Sequence, residues 1–281
     1  MSIEPGALHV VSTPIGHRDD LGARARAVLA GVDVVAAEDT RHTGALLNHL
    51  GIQAELRSLH EHNEAARIPE LLAHLQAGGS VALVSDAGTP AVSDPGFRLV
   101  VAAHEAGIRV VPIPGPSAVT AALAAAGQPT DRFLFVGFPP AKSGNRQQWL
   151  RDLAREPATL VLFESCHRIE ATLGDLAEIF GVLRPATLCR ELTKRFETVH
   201  RSTLGGLVDF VHADADQRRG EIVLVIAGAD APAGTAQAID LATALDALLP
   251  ELPPARAAAV AARLTGVSKK EAYQAAMARK G

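Results

Sequence analysis

The chain has 281 residues, 48% of them hydrophobic and 21% charged, with a formal net charge of −4. That length suggests about two domains, and the composition suits a chain that buries a core rather than a disordered one. The mild negative charge excludes a protein that coats nucleic acid by bulk charge, so any polyanion site has to be a local basic patch.

Strand-like and helix-like segments alternate. LHVVS (8–12) reads as a buried strand, and DDLGARARAVLAG (19–31) as a helix with Asp19 or Asp20 as cap and Gly31 as stop. VDVVAA (32–37) is the next strand, a helix covers about 43–50, and AELRSL (54–59) is a weaker third strand. A helix over about 63–76 ends at Gly78-Gly79, SVALVS (80–85) is the fourth strand, GFRLVVAAHEAG (96–107) a helix and IRVVPI (108–113) the fifth strand. Apolar strands without alternation suggest a parallel sheet buried on both faces, within an α/β layer architecture.

PGPSAVTAALAAAG (114–127) starts as a turn and becomes a helix, after which the pattern begins again. FLFVGF (133–138), ATLVLFES (158–165), ATLCREL (186–192), a stretch near 196–200 and EIVLVIAG (221–228) read as strands. The segment 227–238 is rich in Ala, Gly and Pro and reads as a linker. Beyond it, 253–281 shows two helical periods around TGVS, a helix-turn-helix-like tail or a plain helical hairpin. Neither helix is long enough to stand alone, so Val260, Leu264, Val267, Tyr273 and Met277 are expected to pack, with Lys269, Lys270, Arg279 and Lys280 outward. The expected organisation is two α/β domains, 1–116 and 117–232, with a cleft between them, and a linker plus small helical tail over 233–281. Two cysteines, Cys166 and Cys189, without a CxxC pair leave out a disulfide framework and a Cys-type zinc site. With no 18-residue apolar run and no basic leader, the expectation is a soluble cytoplasmic protein with no membrane partner.

Ligands of an open parallel sheet bind beyond the carboxyl ends of its strands. Three such ends carry special turn residues: STPIG (12–16), SDAGTP (85–90) and PIPGPSA (112–118). Glycine allows close approach to the backbone, and proline stiffens the loop. Asp86 can accept from a hydroxyl or ammonium, and Ser117 stands where a helix starts, with N–H groups free for a carboxylate. Together these suit a small polar zwitterion with an apolar part. The common dinucleotide and phosphate-loop signatures are absent.

TPIG, AEDTRHTG (37–44), HEHNE (60–64), SDAGTPAVSDPG (85–96), PGPSA, LVLFES and CRELTK (189–194) follow one another in an order that resembles the tetrapyrrole-methylase superfamily. Within it, the resemblance is to the branch that methylates the ribose 2′-hydroxyl of a cytidine in small-subunit ribosomal RNA. It implies S-adenosylmethionine as methyl donor, no metal, a donor cleft between two α/β domains, a homodimer, and ribosomal RNA or the small subunit as partner. Carried over residue by residue, it implies donor contacts from Pro14, from Ser85, Asp86, Ala87, Gly88, Thr89 and Pro90, from Ser117 and Ala118, and from Phe163 and Glu164. Substrate-side candidates are Arg41, for a phosphate or paired locally at a charged strand end, the HEHNE residues His60, His62 and Asn63, Lys142 and Arg146 of the loop after Gly137, and Arg190 and Arg195, which line an RNA groove or form a solvated charged face. The HxH pair invites a metal, but transfer from a sulfonium needs none, and Asn63 equally suits a helix cap.

Methyl transfer asks for a ribose hydroxyl held in line with the donor, and orientation alone supplies roughly 7–11 kcal/mol. The hydroxyl also loses a proton. Candidate bases are Glu38, Asp39, Glu191 or a histidine, and Lys194 is one only if burial lowers its pKa. Two other functions compete: methylation of a small tetrapyrrole or another non-RNA substrate, and a non-catalytic ribosome-assembly factor that keeps the fold.

Overall fold

The computed structural model describes residues 3–229 and 240–280. Most of the expected linker, 227–238, lies outside the described residues. The chain divides into two compact units, Met1–Ala229 and Asp230–Gly281, so both expected α/β halves belong to one unit.

The first half of that unit runs β1 (Ala7–Val11), α1 (Ala23–Gly31), β2 (Val34–Ala37), α2 (Thr40–Leu50), β3 (Glu55–Ser58), α3 (Glu64–Gln76), β4 (Val81–Val84), α4 (Phe97–Glu105) and β5 (Arg109–Ile113). Its five strands form an all-parallel sheet in the order β3-β2-β4-β1-β5. Successive residues of β2 feed opposite layers, which is why the strand is apolar throughout. Val34 and Ala36 pack with Leu71, Leu75 and Leu99 of α3 and α4, whereas Val35 and Ala37 pack with Val28, Leu29 and Leu47 of α1 and α2. The order sets β4, β1 and β5 side by side, so the three loops singled out in the sequence leave adjacent strand ends.

The second half runs α5 (Ala118–Ala126), β6 (Phe133–Phe135), α6 (Ser143–Leu153), β7 (Thr159–Ser165), α7 (Ile169–Phe180), β8 (Pro185–Arg190), β9 (Thr198–Thr203), α8 (Leu204–Ala213) and β10 (Glu221–Ile226). Its sheet has the order β6-β7-β10-β8-β9 and is mixed. Only β6 and β7 are parallel; β10 inserts between β7 and β8, antiparallel to both, and β8 pairs antiparallel with β9. Both faces are again covered. Leu162, Leu188 and Leu224 meet Leu150, Leu173 and Leu207 of α6, α7 and α8, while Val161, Cys189 and Val223 meet Val119, Ala122 and Leu123 of α5. Burial on both faces thus makes antiparallel strands look parallel in sequence.

Among its described residues the second unit holds three helices, α9 (Leu241–Leu248) and, in the tail where two were expected, α10 (Pro254–Thr265) and α11 (Lys269–Lys280). Asp240 caps α9 through the Thr243 N–H at 3.0 Å, Gly266 ends α10 in the left-handed region, and Ser268 receives the Glu271 N–H at 3.2 Å. Alanines at 244, 258, 261, 262, 272 and 276 make the core with Leu245. Small side chains let the helices approach closely, and this displaces the larger ones. Leu264, Tyr273 and Met277, expected to pack, are exposed, while Val267 does pack. Arg279, expected free, pairs with Asp246 at 2.8 Å.

His9 sits in mid-β1, 4% exposed, with no hydrogen-bond partner on either ring nitrogen. Burial holds its pKa below the usual 6.5, against a weaker opposite pull from Glu4. The folded state therefore favours the neutral ring, and stability is full above pH 6.5 and falls as pH drops from 6.5 through the lowered value. His9→Met is expected to flatten the fall in melting temperature between about pH 7.5 and 5. An unchanged difference between the two melting temperatures would reject this account.

Candidate active site

The three loops lock together before any ligand is considered. Thr13 and Gly88 exchange backbone hydrogen bonds of 2.8 and 3.0 Å, and the Thr13 hydroxyl donates to the Ser85 carbonyl at 3.1 Å. Ser12 and Thr89 hydroxyls lie 3.0 Å apart, and Thr89 reaches the Pro116 carbonyl at 3.3 Å. Gly88 has φ +82°, a conformation that side chains disfavour. A fourth segment closes on them from the second sheet. The loop after β8 packs so tightly on Gly16 that a Cβ there would lie 2.5 Å from Lys194 and 3.0 Å from the Leu192 carbonyl. The His17 N–H donates to the Thr193 hydroxyl at 3.0 Å. Glu191 and Thr193 of this loop have φ +50° and +64°, a strained pair of non-glycine residues of the sort that clusters at functional sites.

Three cavities open where these loops meet: one of about 390 Å³, walled by Asp20, Gly115, Pro116, Thr120 and Thr193, and two more. Of these two, the larger, about 410 Å³, is walled by Ala87, Gly88 and Thr89, by Ser117 and Ala118, and by Phe138, Phe163 and Leu192. The smaller, about 290 Å³, is walled by Pro14, Gly16, Arg18, His42, Asp86 and Lys194. The first is largely apolar with a few polar groups and ends at the uncapped N-terminus of α5. The second is ringed by charge.

The profile of the Tetrapyrrole (Corrin/Porphyrin) Methylases family matches residues 7–208. The chain belongs to this family. Within the tetrapyrrole methylases it is 50% identical over 277 residues to the ribosomal RNA small subunit methyltransferase I of Pseudomonas aeruginosa, covering 98% of each chain. It is 49% identical over 276 residues to that of Escherichia coli O157:H7, with 98% of this chain and 96% of the relative covered. The crystal structure of uroporphyrin-III-C-methyltransferase from Thermus thermophilus, 24% identical, shares the fold with a TM-score of 0.57 over 79% of this chain and 94% of that one. A separate profile, the RsmI C-terminal HTH domain, matches residues 235–280.

In this tetrapyrrole methylase the expected donor residues divide. Ala87, Gly88, Thr89, Ser117, Ala118, Phe163 and Glu164 line the large cavity; Pro14 and Asp86 line the small one. Ser85 and Pro90 are buried and border neither. The Glu164 carboxylate is engaged within the fold, by the Ser165 N–H at 2.6 Å, Arg168 at 2.7 Å and the Thr172 hydroxyl.

None of the eight expected substrate residues borders either cavity. Arg146 is buried, its guanidinium on Asp175 at 2.7 Å. Arg190 is buried too, donating to Gln217 at 3.1 Å and to the Phe196 carbonyl at 2.9 Å. A buried guanidinium ordered on internal acceptors is screened from a phosphate in solvent. His60 and Asn63 make a turn instead of a binding wall: the Asn63 carbonyl oxygen takes the His60 N–H at 2.9 Å, and its amide donates to Ser58. That side chain caps the turn and not the helix behind it. His62 packs its ring edge on His60 and borders neither cavity. Arg41, Lys142 and Arg195 are exposed outside the cavities, Arg41 on Asp39 at 2.6 Å and Arg195 over the Phe196 ring.

The same motif does hold one functional loop. Glu64, buried, accepts the Gly96 N–H at 2.9 Å and so ties α3 to the end of the SDAGTPAVSDPG segment. Glu64→Ala is expected to free this loop and weaken donor binding about tenfold, from loss of one charge-assisted hydrogen bond of roughly 1.5–3 kcal/mol. Calorimetry giving unchanged affinity would separate the loop's end from the donor site.

Among the expected bases, Lys194 is corrected outright. Burial acts to lower its pKa, but the carboxylates of Glu191 and Glu221, at 2.9 and 3.1 Å, outweigh it and raise the value, so it stays an ammonium. Burial acts to raise Glu191, yet the Glu221 N–H and Lys194 hold it lower. Asp39 is held far below the carboxylate range by Arg41 and caps α2. Burial, with Asp94 and Asp86 nearby, raises Glu38, which accepts the Asp86 N–H at 3.4 Å from behind the loop. None of Glu38, Asp39 and Glu191 borders either cavity. Sequence reasoning missed Arg18 and Glu221, while His42 of the AEDTRHTG segment does border the small cavity. Glu221 is merely the exposed first residue of a strand, and only the insertion of β10 between β7 and β8 brings it to the site.

Proposed function

We propose that the chain transfers the methyl group of S-adenosylmethionine to the ribose 2′-hydroxyl of a cytidine in small-subunit ribosomal RNA. The observation that carries this reading is the near-full-length match, at 50 and 49% identity, to relatives named ribosomal RNA small subunit methyltransferase I. The two cavities support it. The large one fits the donor: the first N–H groups of α5 suit its carboxylate, Asp94 its ammonium, and Phe138 and Phe163 its base. The positive sulfur of the donor supplies an already activated methyl group. The small cavity takes the acceptor nucleotide, with Arg18, Lys194 and His42 facing its phosphates and Asp86 its polar edge. Arg41, Lys142 and Arg195 are further exposed cations of this unit; within unit Asp230–Gly281, Lys269 and Lys270 are exposed cations of its own.

The protein works as a homodimer in the cytoplasm, where its substrate is. Exposed Phe97 and Val101, one turn apart on α4, and Phe133 and Leu134 of edge strand β6 supply apolar surface that fits a second copy. Among the described residues no helix is long and apolar enough to cross a membrane. The test is a strain without the gene. Its small subunits, incubated with the purified protein and labelled donor, acquire one 2′-O-methylcytidine, read by nuclease digestion and mass spectrometry. Label on a base, or on a tetrapyrrole and not on RNA, would reject the reading.

A further inference from the structure

The two cavities share three wall residues, Ile15, Ala87 and Glu221. Two of these carry no ionisable group. Glu221 is therefore, among the described residues lining these cavities, the one titratable side chain that borders both. We infer that Glu221 is the general base that takes the proton of the acceptor hydroxyl. The inference rests on the donor and acceptor assignment above, because the methyl group has to cross where the two spaces meet.

The geometry holds the Glu221 backbone in place from both sides, and Lys194 holds its carboxylate. The Glu191 N–H donates to the Glu221 carbonyl at 2.9 Å, and the Glu221 N–H donates to the Glu191 carboxylate at 3.0 Å. Gly220, just before it, has φ +78°, and a Cβ there would fall 2.4 Å from the Glu191 carboxyl. One Glu221 oxygen meets the Lys194 ammonium at 3.1 Å. The other takes no hydrogen bond among the described residues, and the side chain is 72% exposed to the open space. The other acids do not meet this condition. Asp86 borders only the small cavity and Asp94 only the large one.

The step balances without a further reagent. The hydroxyl oxygen forms the new O–CH₃ bond as the S–CH₃ bond breaks, and that electron pair stays on sulfur, which leaves as a neutral thioether. The hydroxyl proton passes to the free Glu221 oxygen and from there to water. Lys194 is a positioning residue: its charge, fixed by Glu191, keeps the Glu221 carboxylate turned to the junction.

Glu221→Gln keeps the shape and removes the base. Single-turnover methylation of small subunits should fall about 100-fold or more, while calorimetric donor affinity and filter-binding affinity for the subunit stay within twofold of the parent. Glu221→Ala opens space for a small carboxylate, so added formate should restore part of its rate in proportion to concentration, which a structural role would not allow. The inference is overturned if Glu221→Gln turns over within threefold of the parent. It is equally overturned if rate and donor affinity fall together and formate restores nothing. Failure of the parent protein to methylate ribose would instead reject the proposed function, so the two failures are distinct.

Discussion

Arg146→Ala is expected to lower the stability of the protein by about 3–5 kcal/mol, because it leaves a buried carboxylate without its countercharge. The Arg146 and Asp175 side chains are 5 and 11% exposed, and they join α6 to α7 at 2.7 Å. Gln147 also donates to Asp175, at 2.9 Å, so the acid keeps one neutral partner after the change and loses its charged one. Removing both charges together, in Arg146→Met with Asp175→Leu, should recover most of the loss, since an apolar pair of similar volume carries no desolvation cost. Urea unfolding of the single and double variants measures the difference. A single variant that unfolds like the parent but no longer binds small subunits would return Arg146 to the RNA surface.

Gly88→Val is expected to abolish donor binding while leaving a folded protein. The backbone there has φ +82°, and a β-branched residue in that region costs roughly 1–3 kcal/mol, which a chain of this size tolerates. The space around Gly88 is open: a Cβ would touch only Ile15 at 3.5 Å and the Pro116 carbonyl at 4.0 Å. A side chain in that space occupies the large cavity itself. Gly78→Val is the matched control, with φ +91°, nothing within 4 Å and no part in either cavity. It should show a similar loss of stability and full donor affinity. Parent-like calorimetric titration of Gly88→Val would remove the 87–89 segment from the donor site.

The three special strand-end loops were legible because their signals are local. A strand that ends in a run of Gly and Pro is readable wherever it occurs, and the loops at 12–16, 85–90 and 114–118 lie where the sequence placed them, on neighbouring strands. The charged residues were not legible in the same way. Arg146, Arg190, Arg41 and Lys142 look alike in a sequence, yet two are buried on internal acceptors and two are exposed. The side-chain acceptor of the Nε lies 29 residues away for Arg146 and 27 for Arg190, so a short window of sequence does not contain the partner that marks either as structural.

Composition and periodicity by themselves determined an α/β chain with a buried sheet, the three strand ends that carry ligand loops, and a helical tail, because each follows from the spacing of apolar and turn residues along a short stretch. Only the tertiary structure decided that the second sheet is mixed, since strands buried on both faces are apolar whichever way they run. It also decided that Lys194 remains an ammonium, because the two carboxylates that outweigh its burial come from the β8 loop and from the start of β10. Glu221 owes its place between the cavities to the same pairing: antiparallel register sets it opposite Ser165, at an end of β10 that adjoins the loop packed on Gly16. Such placement is a long-range property of the sheet, and no window of sequence around Glu221 contains it.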